Sequence, residues 1–127
     1  MKSDLKARTK KISLSVIELV EALPATLTAK TIANQLIRSG TSVGANYRAV
    51  CRARSDKEFI AKMNIVLEES DETCFWLEIL GEKNWIQREK HEVILKEANE
   101  LTAIFTSSLK TMNTKQNSKP EVLNSKF

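Results

Sequence analysis

Turn residues are what this chain most lacks. Three glycines and two prolines are all that interrupt its 127 residues, whereas a sandwich or barrel of short strands needs a turn residue every few positions. Few turns mean few, long elements. Leu5, Ile12, Val16, Leu19, Val20 and Leu23 share one face at 3.6 residues per turn. The first segment therefore reads as a helix over about 3–23. Pro24 stops it, because proline disfavours the α conformation in its predecessor.

The same period continues. Thr26 or Thr28 can cap a second helix over about 28–53, with Ile32, Ala33, Leu36, Ile37, Val43, Tyr47, Val50 and Cys51 on its apolar side. Ser55, followed by Asp56 and Glu58, supplies a cap and early negative charge for a third helix over about 56–80. Its stripe of Phe59, Met63, Val66, Leu67, Phe75, Leu77 and Leu80 is widened by Ile60, Trp76 and Ile79, and Gly81 is expected to close it as a left-handed residue. A fourth helix over about 86–112 turns Val93, Ile94, Ala98, Leu101, Ile104, Phe105, Leu109 and Met112 inward. Residues 113–127 are polar and aperiodic and read as a disordered tail. Short connections make sequential helices antiparallel, so the expected fold is all-α: one domain, residues 1–112, built as an up-down-up-down four-helix bundle.

The composition, 42% hydrophobic and 28% charged, is that of an ordinary globular protein. No apolar run reaches the ~18 residues that span a bilayer, and the start, MKSDLKARTKK, lacks the apolar stretch of a signal peptide. The expected location is the cytoplasm, with no membrane partner. Cys51 and Cys74 fall on apolar faces far apart in sequence and read as reduced thiols, not as a disulfide framework or a zinc site.

Catalysis has no visible residues. Di-iron sites in helix bundles use Glu-x-x-His pairs, but Arg88 stands three residues before His91, the only histidine, which reads as a surface residue. The acidic run EESDE, with Glu68, Asp71 and Glu72 near one face, reads as a solvated surface or one that pairs with arginines; without further ligands it predicts no metal. No phosphate-binding glycine loop and no nucleophile elbow is present, so neither an enzyme nor a cofactor is expected. Trp76 and Trp85 are assigned to packing or an interface.

Charge carries the remaining signal. Residues 1–62 hold 12 Lys and Arg against 5 Asp and Glu, and residues 63–100 hold 4 against 10. Arg38, Arg48, Arg52 and Arg54 lie on or beside the second helix, with Lys57 and Lys62 beyond and Lys2, Lys6, Lys10 and Lys11 on the first. Two readings are open. With Ser39, Thr41 and Ser42 the arginines can grip phosphates without reading sequence; alternatively they pair with glutamates of the third helix across a subunit contact. Between them Gly40, Gly44, Ala45 and Tyr47 are expected to form a strip on which a neighbouring helix approaches closely.

The segment QLIRSGTSVGANYRAVCRARSDKEFIAKMNIVLEESDETCFWLEIL, residues 35–80, adds a second kind of information. Arg-Ser-Gly-Thr-Ser-x-Gly-Ala-Asn-Tyr-Arg at 38–48, Ala-Arg-Ser at 53–55, Phe59, and Glu-x-x-Asp-Glu-Thr-x-x-Trp-Leu-Glu at 68–78 closely resemble the bacterial proteins first noticed as products of intervening sequences in 23S ribosomal RNA genes. The resemblance implies a homopentamer of four-helix bundles without enzymatic activity, associated with RNA or DNA through a basic surface. The family is similar in fold to the accessory protein of diversity-generating retroelements. That likeness implies the alternative of a structural adaptor that recruits a protein partner such as a reverse transcriptase.

Overall fold

A computed structural model describes residues 2–118, with side chains from residue 4 onward. Four helices account for nearly all of it: α1 (Lys2–Glu21), α2 (Leu27–Cys51), α3 (Asp56–Lys83) and α4 (Arg88–Asn117). No strand occurs among the described residues. α1 stops two residues before the expected Leu23. Ahead of Pro24 the chain tightens into i→i−3 bonds, Ala22 N–H to Leu19 O and Leu23 N–H to Val20 O, both 3.2 Å.

The caps are local chemistry. The Thr26 hydroxyl accepts the Ala29 N–H at 3.2 Å and opens α2, and the Ser55 hydroxyl accepts the Glu58 N–H at 3.0 Å and opens α3. Glu58 reaches back to the Arg54 N–H at 2.8 Å.

The far end of α3 differs from the expectation. Gly81 lies inside the helix without a positive φ, α3 runs on to Lys83, and the left-handed residue is Asn84 at φ 57°. Gly81 is small for another reason: a Cβ there would stand 2.6 Å from Nε2 of the His91 ring and closer still to Cε1. His91 is accordingly not a surface residue. It is half-buried, and its Nε2–H donates to the Leu77 carbonyl at 2.6 Å.

α4 also outruns its expected end. The segment 113–117, read as tail, is helical, with Gln116 half-buried and Lys115 paired to Asp56 of α3 at 3.4 Å. Its polar composition hides a helix held by these tertiary contacts. The rest of the expected tail, 119–127, lies outside the described residues. No described helix is long and apolar enough to cross a membrane.

α1 packs on α2, α2 on α3, α3 on α4, and α4 closes the ring more sparingly against α1. The pairings are antiparallel: Gly40 meets Val16 while Gly44 meets Thr9; Ser39 meets Thr73; Thr102 meets Ser70. Across the centre Tyr47 of α2 and Phe105 of α4 stack with ring centroids 6.0 Å apart. Leu36, Leu77, Leu80, Leu101, Val16, Val66 and Phe105 are fully enclosed, each contributing about 1.5–3 kcal/mol by removal from water. Two expected core residues face out instead. Val93 is 71% exposed and Phe75 50%, because each stands one or two residues from a buried position, Ile94 and Leu77, and so 100–200° round the helix. Cys51 and Cys74 are free thiols, and burial raises the pKa of the Cys74 thiol.

Candidate nucleic-acid interface

Antiparallel packing turns the charge segregation of the sequence into a difference between the two ends of the bundle. The start of α1, the end of α2, the start of α3 and the end of α4 lie together, as the Gly44–Thr9 approach and the Lys115–Asp56 pair show. This end gathers Lys6, Arg48, Arg52, Arg54, Lys57, Lys62, Lys110 and Lys115 against Asp4, Asp56 and Glu58. Two of those three acids are occupied locally, Asp56 by Lys115 and Glu58 by the Arg54 backbone. The opposite end carries Glu18, Glu21, Glu78, Glu82, Glu89 and Glu92 with fewer cations.

The predicted arginines divide into two groups. Arg48, Arg52 and Arg54 are exposed, and none of their side chains lies within ion-pairing distance of a described carboxylate. Arg38 is spent inside the bundle: its guanidinium spans the α2–α3 seam, 3.0 Å from Glu69 and in direct contact with Glu72. The hydrogen bonds from Arg38 and then Trp76, whose Nε1–H donates at 3.0 Å, hold the Glu72 carboxyl below its ordinary range. The acidic run thus pairs with an arginine, through Glu69 and Glu72, within one chain.

Arg8 is a counterpart that the sequence pattern did not single out. It grips Glu97 of α4 in a two-pronged pair, Nε–Oε2 2.9 Å and Nη2–Oε1 2.6 Å, and touches Glu100 at 3.3 Å. The Glu97 hydrogen bond raises the pKa of the guanidinium. Both clasps join residues far apart in sequence, and a helical repeat in one segment carries no signal for such a pair.

The hydroxyls expected beside the arginines are not presented to a ligand. Ser39 is buried and receives the Thr73 hydroxyl at 3.1 Å, and Thr41 donates to the Ile37 carbonyl at 2.6 Å. Ser42 is half-buried, on the arc between Ser39 and Asn46, and its carbonyl receives the Asn46 amide at 2.8 Å.

The small-residue strip faces α1. A Cβ on Gly40 would lie 2.9 Å from Val16 Cγ2, and one on Gly44 would lie 3.1 Å from the Thr9 carbonyl oxygen. Ser13 donates to the Gly40 and Thr9 carbonyls at 3.0 Å, tying the seam. Tyr47 is buried, and burial pushes its pKa up to about 12. Ala45 does not belong to the strip: it is exposed, turned 100° from Gly44. Trp85 lies in the α3–α4 connection, half-buried, its ring 5.4 Å from the Lys83 ammonium. Among the described residues no group of three or more His, Cys, Asp or Glu is placed to hold a metal ion.

The comparisons with known proteins agree with this architecture. Residues 1–107 match the family model of the 23S rRNA-intervening sequence protein. No curated protein matches. A solved structure from Bacteroides thetaiotaomicron VPI-5482, a protein of unknown function from the S23 ribosomal protein family, is 34% identical, covers 84% of this chain and 98% of its own, and superposes with a TM-score of 0.76. A family match over most of the chain and a relative of nearly equal length place it plainly: this protein belongs to the 23S rRNA-intervening sequence protein family.

Proposed function

We propose that this protein is a non-enzymatic, cytoplasmic oligomer, a pentamer by family resemblance, that associates with RNA through the basic end of its bundle. The observation that carries the reading is the set Arg48, Arg52 and Arg54, exposed at the end where α2 stops and α3 begins and without a described carboxylate partner. Arg38 is left out, because Glu69 and Glu72 already neutralise it. Guanidinium groups on a rigid helix end suit phosphate oxygens, which accept forked hydrogen bonds. Contacts of this kind position a protein on a nucleic-acid backbone without reading its bases. The family description ties the family to 23S rRNA and the similar structure's description to a ribosomal protein family, which favours RNA over DNA.

The test is retention of labelled single-stranded RNA across a salt series. Affinity should fall steeply with salt, and Arg52→Glu with Arg54→Glu should weaken binding and flatten the slope by about 1.4, at ~0.7 for each phosphate no longer neutralised. Absence of retention at low salt, or an unchanged slope in the double variant, refutes the reading.

A further inference from the structure

Two exposed apolar patches on different sides of the bundle have no cover within the chain. On α3, Phe75 and Ile65 are open to solvent, with Ile79 half-buried beside them. The exposed carboxylates of Glu68 and Glu78 stand on the same arc, seven residues before Phe75 and three after it. This patch has an acid rim.

The second patch crosses the α1–α2 seam. Leu14, 55% exposed, and Ile17 lie on the outer arc of α1, and Ile37 is exposed on α2. The contact of Gly40 with Val16 sets Ile37, about one turn earlier on an antiparallel helix, beside Ile17. Lys10 stands four residues before Leu14 and seven before Ile17, and Lys6 one turn further; both ammonium groups are exposed. This rim is basic.

We infer that these patches are the two halves of one contact: the acid-rimmed α3 patch of one copy of this chain seats on the lysine-rimmed α1–α2 patch of the next. The inference deepens the oligomeric part of the function proposed above and rests on it. Charge complementarity selects the occupant. The acid rim repels phosphates and anionic lipid, and the surface that answers it in sign and in apolar character is carried by the same molecule. Because the halves are different surfaces, the contact is head-to-tail, and each copy keeps one free half of each kind until a ring closes. The basic tip at Arg52 and Arg54 lies off both patches, on the turn from α2 into α3.

Sedimentation velocity on the full chain tests this. Wild-type protein should sediment well above the 14.3 kDa of one chain. Phe75→Glu, which spoils one half, and Leu14→Glu, which spoils the other, should each sediment as monomers with unchanged helical circular dichroism, since both residues are exposed. An equimolar mixture of the two variants keeps one good half of each kind and should give a species of twice the chain mass that grows no further. If either glutamate variant unfolds, Phe75→Gln and Leu14→Gln serve in the same mixing experiment. A mixture that stays monomeric, a Leu14 variant that assembles like wild type, or a wild type that is itself monomeric overturns the inference. RNA retention by the Arg52–Arg54 tip, measured on the same samples, reads the binding proposal separately.

Discussion

Replacing Gly81 by alanine should change the sign of its effect when His91 is also removed. Inside a helix, alanine is favoured over glycine by about 1 kcal/mol, so at an open site Gly81→Ala stabilises. Here the new methyl would stand 2.6 Å from His91 Nε2 and closer still to Cε1, separations that no real contact sustains. The imidazole must swing out and give up its bond to the Leu77 carbonyl, a loss of roughly 0.5–1.5 kcal/mol, together with the ring's packing on α3. In the wild-type background the two effects offset or leave a net loss of up to ~1 kcal/mol. In His91→Ala nothing opposes the helical gain, and Gly81→Ala should stabilise by about 1 kcal/mol. The coupling between the two sites is then about 1–2 kcal/mol. Urea unfolding of the four proteins, followed by far-ultraviolet circular dichroism, measures it, and in thermal melts ~1 kcal/mol corresponds to a few degrees for a chain of this size. Equal stabilisation by alanine in both backgrounds would falsify the claim that Gly81 is small because of His91.

Gly44→Leu should destabilise the fold by about 1–3 kcal/mol or more, seen as a lowered melting temperature, because even a first methyl would lie 3.1 Å from the Thr9 backbone, which cannot move aside without parting α1 from α2. An unchanged melting temperature would mean that the strip does not bear on α1. On the alkaline side, the single tyrosine makes titration directly assignable. With Tyr47 raised to about 12 by burial, its contribution is complete below the ordinary phenol value of ~10 and is lost as pH rises toward 12, so phenolate absorbance should appear late and together with unfolding. On the acid side, Glu72 is held below its ordinary value by Arg38 and Trp76. Its contribution is full above the ordinary carboxylate range and fades as pH falls through the lower folded value. Glu72→Gln should flatten the acid limb of a stability–pH curve, and a curve identical to wild type would remove the clasp from the account.

The helical period alone located all four helices, and Pro24, Thr26 and Ser55 marked their boundaries, because each acts through its own or adjacent backbone groups. The misplacements have a common cause. Gly81 was expected to end α3 from local chemistry, yet its size is dictated by His91, ten residues on and on another helix. The end of α4 was read as tail because its composition is polar, whereas Asp56, nearly sixty residues earlier, helps to hold it through Lys115. The same holds for the arginines. Arg38 and Arg48 are alike in sequence, and packing α3 beside α2 gives one of them two glutamates and leaves the other free. What a residue does to its own turn was legible; what reaches it from a different helix was not.

The hydroxyl groups between the helices have a further consequence. Ser13 with the Gly40 carbonyl, Ser39 with Thr73, and Ser70 with Thr102 lie at one level of the bundle and cross three successive seams. Leucine and valine surfaces tolerate sliding by a turn, since one apolar side chain covers another nearly as well. A buried hydroxyl does not, because leaving it unpaired costs about 1–3 kcal/mol. This polar layer therefore works as a register mark, discouraging the slipped alignments that an otherwise uniform apolar core would admit.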